Sequence, residues 1–399
     1  MFRPLGLLLA SLLLALAPAT PAPGSALYHL TDLSAREAAT LNNRGEVAYR
    51  IGRYDSREGG LYRSLQPGAD DIRYTMPGSS APNVYGHFNM GEDGALYGFR
   101  TGEFTLADGG VAWTLEAIRM SPEGVVTRVG PAGVGSTAVG ANASGLVVGR
   151  HWTSGGYGQV FVHHPASGTA PARTEDLKSL GGTSATPTAP NAAGQFLADV
   201  AFGPGTPPSA GTVLVQPDGT VTRIAIPDGY ARARLTALND LGVAVGDATR
   251  EGASWGEPMT WKEGTWTPLA APDRPGIKAF AVTDLSNSGD MLVDTSLGQF
   301  VVREGHWYKL DELFDDPESR WELLRASAIN DLGQILAEGI VQWGEGRNRH
   351  TSTVLLTPKS LAAPVPPAAV PEPAALAGFL ALATLLARRR RPDRPVAAR

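Results

Sequence analysis

The stretch LNDLGVAVGD, residues 238–247, occurs in six further versions along the chain. They are LNNRGEVAYR (41–50), MGEDGALYGF (90–99), ANASGLVVGR (141–150), PNAAGQFLAD (190–199), LSNSGDMLVD (285–294) and INDLGQILAE (329–338). The shared glycines are Gly45, Gly94, Gly145, Gly194, Gly242, Gly289 and Gly333, separated by 49, 51, 49, 48, 47 and 44 residues. Self-similarity at such a period marks a repeat architecture in which each copy is one supersecondary unit.

Three residues before the glycine, five of the seven copies carry Asn: Asn42, Asn142, Asn191, Asn239 and Asn330. Asn closes a turn through its own side chain and Gly supplies positive φ, so N-x-x-G predicts a tight hairpin between two strands. The second and third residues after the glycine are apolar in every copy, as in Val147-Val148 and Ile335-Leu336. Neighbours on a strand point to opposite faces, so this strand is buried on both sides. A third strand follows, as in GQVFVHHP (158–165), GTVLVQP (211–217) and GQFVVREG (298–305). A shorter fourth one appears as VVTRVGP (125–131), VTRIAIP (221–227) and HWYKL (306–310). Four strands in about 48 residues make a propeller blade. The expected fold is therefore all-β: a seven-bladed β-propeller with four-stranded blades over residues 27–358.

The ends of the body complement one another. The last unit has its third strand, STVLLTP (352–358), and then runs into the Pro/Ala-rich linker KSLAAPVPPAAVPEP (359–373). LYHLTDL (27–33) is a lone strand with no unit of its own. Docking it beside STVLLTP pairs two orphan edges and closes the last blade.

Composition agrees. With 48 Gly, 31 Pro and 18% charged residues in 399, the chain favours short strands and many turns. It has no cysteine, which excludes disulfides, thiolate metal sites and cysteine nucleophiles. Residues 1–26 read as a secretory signal: Arg3, then Leu5 to Ala17 with eight leucines, then small residues. Cleavage fits Gly24-Ser25-Ala26 or, alternatively, a site after Ala19. Setting aside +5 in the tail from Arg388, +1 from Arg3 and −1 from Glu372, a total of −5 leaves −10 on residues 27–369. An acidic body argues against binding nucleic acid or anionic lipid.

Residues 374–387 are uncharged, but at 14 residues they fall short of the roughly 20 that cross a bilayer directly. Arg388, Arg389, Arg390 and Arg391 follow as a cytoplasmic stop, so 374–391 is expected to be a short transmembrane helix with its Arg cluster. Pro371 and Pro373 hold Glu372 in an extended, accessible segment. Motif, helix and Arg cluster together closely resemble the PEP-CTERM sorting signal of Gram-negative bacteria, over about 25 residues. The resemblance implies export, inner-membrane anchoring during sorting, and cleavage by an exosortase. It further implies a final place at the cell surface or outside the cell, in hosts that produce exopolysaccharide and biofilm. The junction EDLKSLGGTSATPTAPNAAGQFLADV (175–200) also resembles the HAF repeat of secreted bacterial proteins, with Lys178 and Pro190 departing from its pattern. That family has no established activity, so the likeness bears on the fold.

Chemistry is sparse. The seven His are scattered, and His163-His164 on a strand point apart. No metalloprotease, phosphate-loop or nucleophile-elbow motif occurs. Asp70-Asp71, Asp315-Asp316 and the pairs 239–240 and 330–331 lack the spacing of a calcium loop and read as solvated turns. No metal or cofactor is implied. The eight Trp all lie in the repeat body, and burial in outer strands is expected for most of them. The fifth residue after the repeat glycine is charged in six of seven copies: Arg50, Arg150, Asp199, Asp247, Asp294 and Glu338. These residues read either as strand ends reaching water or as a ligand-binding rim at one height around the ring, for an exopolysaccharide or envelope glycan. The function that fits is a non-enzymatic binding or structural module. The alternative is a secreted lyase or glycoside hydrolase using carboxylates such as Asp199, Asp247 or Asp294, set about 5–10 Å apart across a cleft.

Overall fold

The computed structural model describes residues 28–33, 37–51, 60–64, 72–74, 85–105, 111–153, 156–178, 180–203, 210–270, 277–314, 321–343 and 348–359. All lie in one compact unit, Met1–Lys359. The expected signal segment, nearly all of the linker, and the tail with Pro371, Glu372, Pro373 and Arg388–Arg391 lie outside the described residues.

The described residues form an all-β, propeller-type arrangement of seven four-stranded antiparallel sheets. Six sheets take four strands consecutive in the chain. The fifth repeat is representative: Arg232–Leu238, Ala244–Thr249, Glu257–Lys262 and Thr265–Pro268 pair in that order. The remaining sheet is composite. Trp321–Ile329, Ile335–Trp343 and Asn348–Pro358 supply three strands, and Tyr28–Asp32 from the other end of the body supplies the fourth. Tyr28 lies opposite Pro358 and Asp32 opposite Val354, the expected docking of the N-terminal strand. The described residues contain one helical turn, Leu310–Glu312.

Burial on both faces follows from the repeat's apolar pair. In the fourth repeat, Phe196, Ala198 and Val200 pack on Val148, Val160 and Val162 of the third. Leu197, between them, packs on Leu235, Ala244 and Trp261 of the fifth. One strand thus belongs to two cores, and each fully buried side chain of this size contributes about 1.5–3 kcal/mol.

The N-x-x-G turns form as expected, with all seven repeat glycines at φ between 70° and 90°. At Asn239 the side-chain oxygen accepts the N–H of Leu241 (3.1 Å) and of Val243 (3.0 Å), while the N–H of Gly242 donates to the Asn239 carbonyl (3.1 Å). A Cβ on Gly242 would meet nothing within 4 Å, so its φ of 71° is the sole objection to a larger residue. Gly242→Val is expected to cost about 1–3 kcal/mol through backbone strain alone. A thermal midpoint equal to the parent's would show that this turn is wrong.

The asparagines have a second use that a turn alone does not require. Each side-chain amide donates to the carbonyl of the matching residue in the next repeat. The bonds run from Asn42 to Gly91 (3.1 Å), Asn142 to Asn191 (3.0 Å), Asn191 to Asn239 (3.0 Å) and Asn239 to Ser286 (3.2 Å). Asn330 of the last repeat donates to Asn42 of the first (2.9 Å), so the belt returns to its start. The amide accepts through its oxygen and donates through a separate NH2 group, so it closes the turn and reaches the next repeat at once, which a carboxylate, having no donor, does not.

Candidate binding face

Every sheet presents two ends. The N-x-x-G turns lie at one, and the second strands run from them to the other, where the described loops to the third strands lie. The six rim residues lie at one register on the second strands. Asp199 is opposite Thr186, Asp247 opposite Arg234, Arg150 opposite Thr137, Asp294 opposite Ala281, Glu338 opposite Arg325 and Arg50 opposite Glu37. They share a height but not a surroundings. The Asp199 carboxylate accepts from Thr212 Oγ1 (3.1 Å) and pairs with Arg234 of the next repeat (2.5 Å). Asp294 accepts from Gln299 Nε2 (2.6 Å). The Arg150 guanidinium lies 5.7 Å from the Trp152 ring. Glu338 is exposed, but its strand continues to Trp343, so it sits mid-strand rather than at a strand end. The Arg50 side chain lies outside the described residues.

Asp247 differs from Asp199 and Asp294. Among the described residues, no hydrogen bond or ion pair reaches its carboxylate. Burial raises its pKa, opposed by Arg234 and Arg232 and reinforced by Asp199. Its carboxylate lies over the backbone of Gly256, where an added Cβ would come within 2.5 Å of Oδ2. The preceding residue, Trp255, is 62% exposed and stacks on Phe280 of the sixth repeat, with centroids 4.9 Å apart and ring planes 30° apart. Phe280 occupies a register shift between Ala279 and Ala281, and such a bulge turns a side chain away from its regular direction. Tyr157 and Leu297, in the matching loops of the third and sixth repeats, are also exposed.

The opposite end carries a second belt, formed by the residue after each Asn position. The backbone N–H of Asn43 donates to Glu92, that of Ala192 to Asp240, that of Asp240 to Asn287, that of Asn287 to Asp331 and that of Asp331 to Asn43. The pairs 239–240 and 330–331 therefore make turn contacts, and among the described residues no group of three or more acidic or His side chains is arranged to hold a metal. Burial, reinforced by Asp331 and Asp240, pushes Glu92 up to about 7, against the Asn43 N–H and Arg44. Between the fourth and fifth repeats a groove of about 670 Å³ opens beside Gln216, Leu241 and Trp261.

Sequence reading placed the rim but not the aromatic stack beside it. Trp255 and Phe280 are 25 residues apart, and neither occupies a repeated position. The second belt had a visible signal, since five of the seven residues following the Asn position are Asn, Asp or Glu.

No protein-family model and no curated protein matches the chain. Solved structures show distant likeness. TolB from Acinetobacter baumannii is 15% identical, with 60% of this chain and 54% of that one covered and a TM-score of 0.37. The structure of YCF48 bound to D1 peptide is 10% identical, with 85% and 98% covered and a TM-score of 0.45. Prolyl oligopeptidase B from Galerina marginata is 10% identical, with 82% and 51% covered and a TM-score of 0.47. This chain therefore spans about half the length of TolB and of the oligopeptidase.

Proposed function

We propose that the protein is an exported, exosortase-sorted component of the cell surface or extracellular matrix. In this reading its seven sheets are the blades of one closed seven-bladed propeller, and it acts as a non-enzymatic binding and structural module. The observation that carries the binding role is the loop end, where charged strand residues adjoin exposed aromatic and apolar side chains: Tyr157, Trp255 and Leu297. Exposed apolar surface rimmed by polar groups is a feature of interaction sites. The partners proposed are the exosortase for processing and an exopolysaccharide or envelope glycan for binding. The charge of −10 on the body disfavours nucleic acid. Glycoside hydrolysis would need a pair of carboxyls free for substrate. Asp199 is held by Arg234 and Thr212 and Asp294 by Gln299, which favours a structural use for both.

Sorting is tested by intact-mass measurement of protein recovered from its native host. The expected mass lacks residues 374–399. A mass that includes them overturns processing. Incubation with exopolysaccharide from the same host is expected to retain the protein on the polymer without shortening it. A fall in polymer length would establish the enzyme reading instead.

A further inference from the structure

We infer that the Trp255–Phe280 stack and the Asp247 carboxylate form a single binding site for a neutral pyranose chain, at the junction of the fifth and sixth repeats on the loop end. This inference rests on the reading of the protein as an extracellular binding module, and it names the site and the class of sugar. Trp255 shows 62% of its surface to solvent although it already stacks on Phe280. Phe280 therefore backs one side of the indole, and the rest of the ring is free for a ligand. An aromatic face carries negative charge density, and the C–H-rich face of a pyranose presents weakly positive hydrogens to it. The Asp247 carboxylate lies over the backbone of Gly256, the residue that follows Trp255, and is drawn partly out of water with no side-chain hydrogen bond or ion pair among the described residues. A carboxylate in that state gains from donors brought by a ligand. Sugar hydroxyls, which project from the edge of the pyranose, supply them while the ring stacks.

The surrounding charges select the sugar. Asp199 and Asp247 are matched by Arg232 and Arg234, so the patch has no cationic excess to hold uronate or sulfate groups. The body's charge of −10 repels a polyanion further.

The test uses the mature secreted protein with cellohexaose, laminarihexaose and chitohexaose as neutral probes and an alginate hexamer as the polyanion, read by calorimetry and tryptophan fluorescence. At least one neutral hexaose is expected to bind and to change the fluorescence. Trp255→Ala is expected to weaken that binding at least tenfold and abolish the fluorescence change, and Asp247→Ala to weaken it at least fivefold. Trp255 is exposed, so its removal leaves the fold intact, as an unchanged melting temperature would verify. Neutral binding that survives both substitutions overturns this site while leaving the glycan-binding reading standing. Binding of alginate alone overturns the choice of sugar. If no saccharide binds the parent protein, both the site and the glycan-binding reading fail.

Discussion

Removing Tyr28 to Leu33 from the secreted body is expected to destabilise the first and last repeats together, although the deleted strand precedes only the first. Tyr28 is 2% exposed and sits in a core with Leu310, Leu313, Leu323, Ile335 and Leu356. Its N–H donates to the Leu313 carbonyl (2.8 Å), and its hydroxyl accepts from Arg303 Nη2 (3.0 Å). Arg303 is itself paired with Asp290 at 2.6 Å, so the strand is tied to the sixth repeat as well as the seventh. At its other end the N–H of Leu33 donates to Thr353 (2.9 Å). Deletion uncovers the edge of Asn348–Pro358 and empties this core. Tyr28→Ala alone is expected to cost about 3–5 kcal/mol, the range for truncating a buried aromatic.

Hydrogen exchange shows where that loss falls. In a closed ring the first repeat leans on the last, through Asn330 to Asn42 and through a core of Val47 and Tyr49 with Leu336 and Leu355. Protection is therefore expected to fall in 321–358 and in 37–51 alike. In an open stack each unit touches only its neighbours in sequence, and a missing first strand frays one end. Loss confined to residues 37–51, with 321–358 unaffected, would overturn closure.

Mild acid is expected to stabilise the fold rather than weaken it, with a higher melting temperature at pH 5 than at pH 8. Asp284 bridges the sixth and seventh repeats by accepting the N–H of Ile329 (2.8 Å). Burial pushes its carboxyl up to about 6, against the N–H groups of Ile329 and Leu285. Glu92 is pushed up to about 7. Both folded values lie above the unfolded ones, so between them the native state binds more protons than the unfolded chain. The stabilisation is complete below the unfolded values near 4 and is lost as pH rises through 6 to 7. His163 opposes this, because burial lowers its pKa and acid must charge it. Asp284→Asn separates the contributions. It keeps an acceptor for Ile329 and removes the charge, so it is expected to stabilise by about 1–3 kcal/mol at pH 8, since each tenfold change in proton affinity corresponds to about 1.4 kcal/mol. The advantage should shrink as pH falls from 7 towards 4. An advantage constant across that range would show that Asp284 titrates normally.

Much of this fold is legible in the sequence because its rules are local and repeated. N-x-x-G states a turn, the two apolar residues after it state a strand covered on both faces, and seven copies spaced near 48 residues state that each unit needs its neighbours. The orphan strand at 27–33 and the incomplete last unit together announce their pairing, since each carries an edge that the other can satisfy. Register on the second strand is also local, so the rim residues could be placed at one height by counting five from each glycine. What lies beside each rim residue is not local. Asp199 pairs with Arg234, Asp294 accepts from Gln299 and the Asp247 carboxylate is bonded to neither, because each side chain projects towards a different stretch of the following repeat or its own sheet. The stack of Trp255 on Phe280 depends on a loop in one repeat and a bulge in the next. The amide belt likewise joins residues 47 to 49 positions apart, and 288 apart at the closure. Repetition by itself determined the units and their order. Only the approach of one sheet to the next decided which of their side chains touch, because those contacts cross between repeats whose loops and bulges do not repeat.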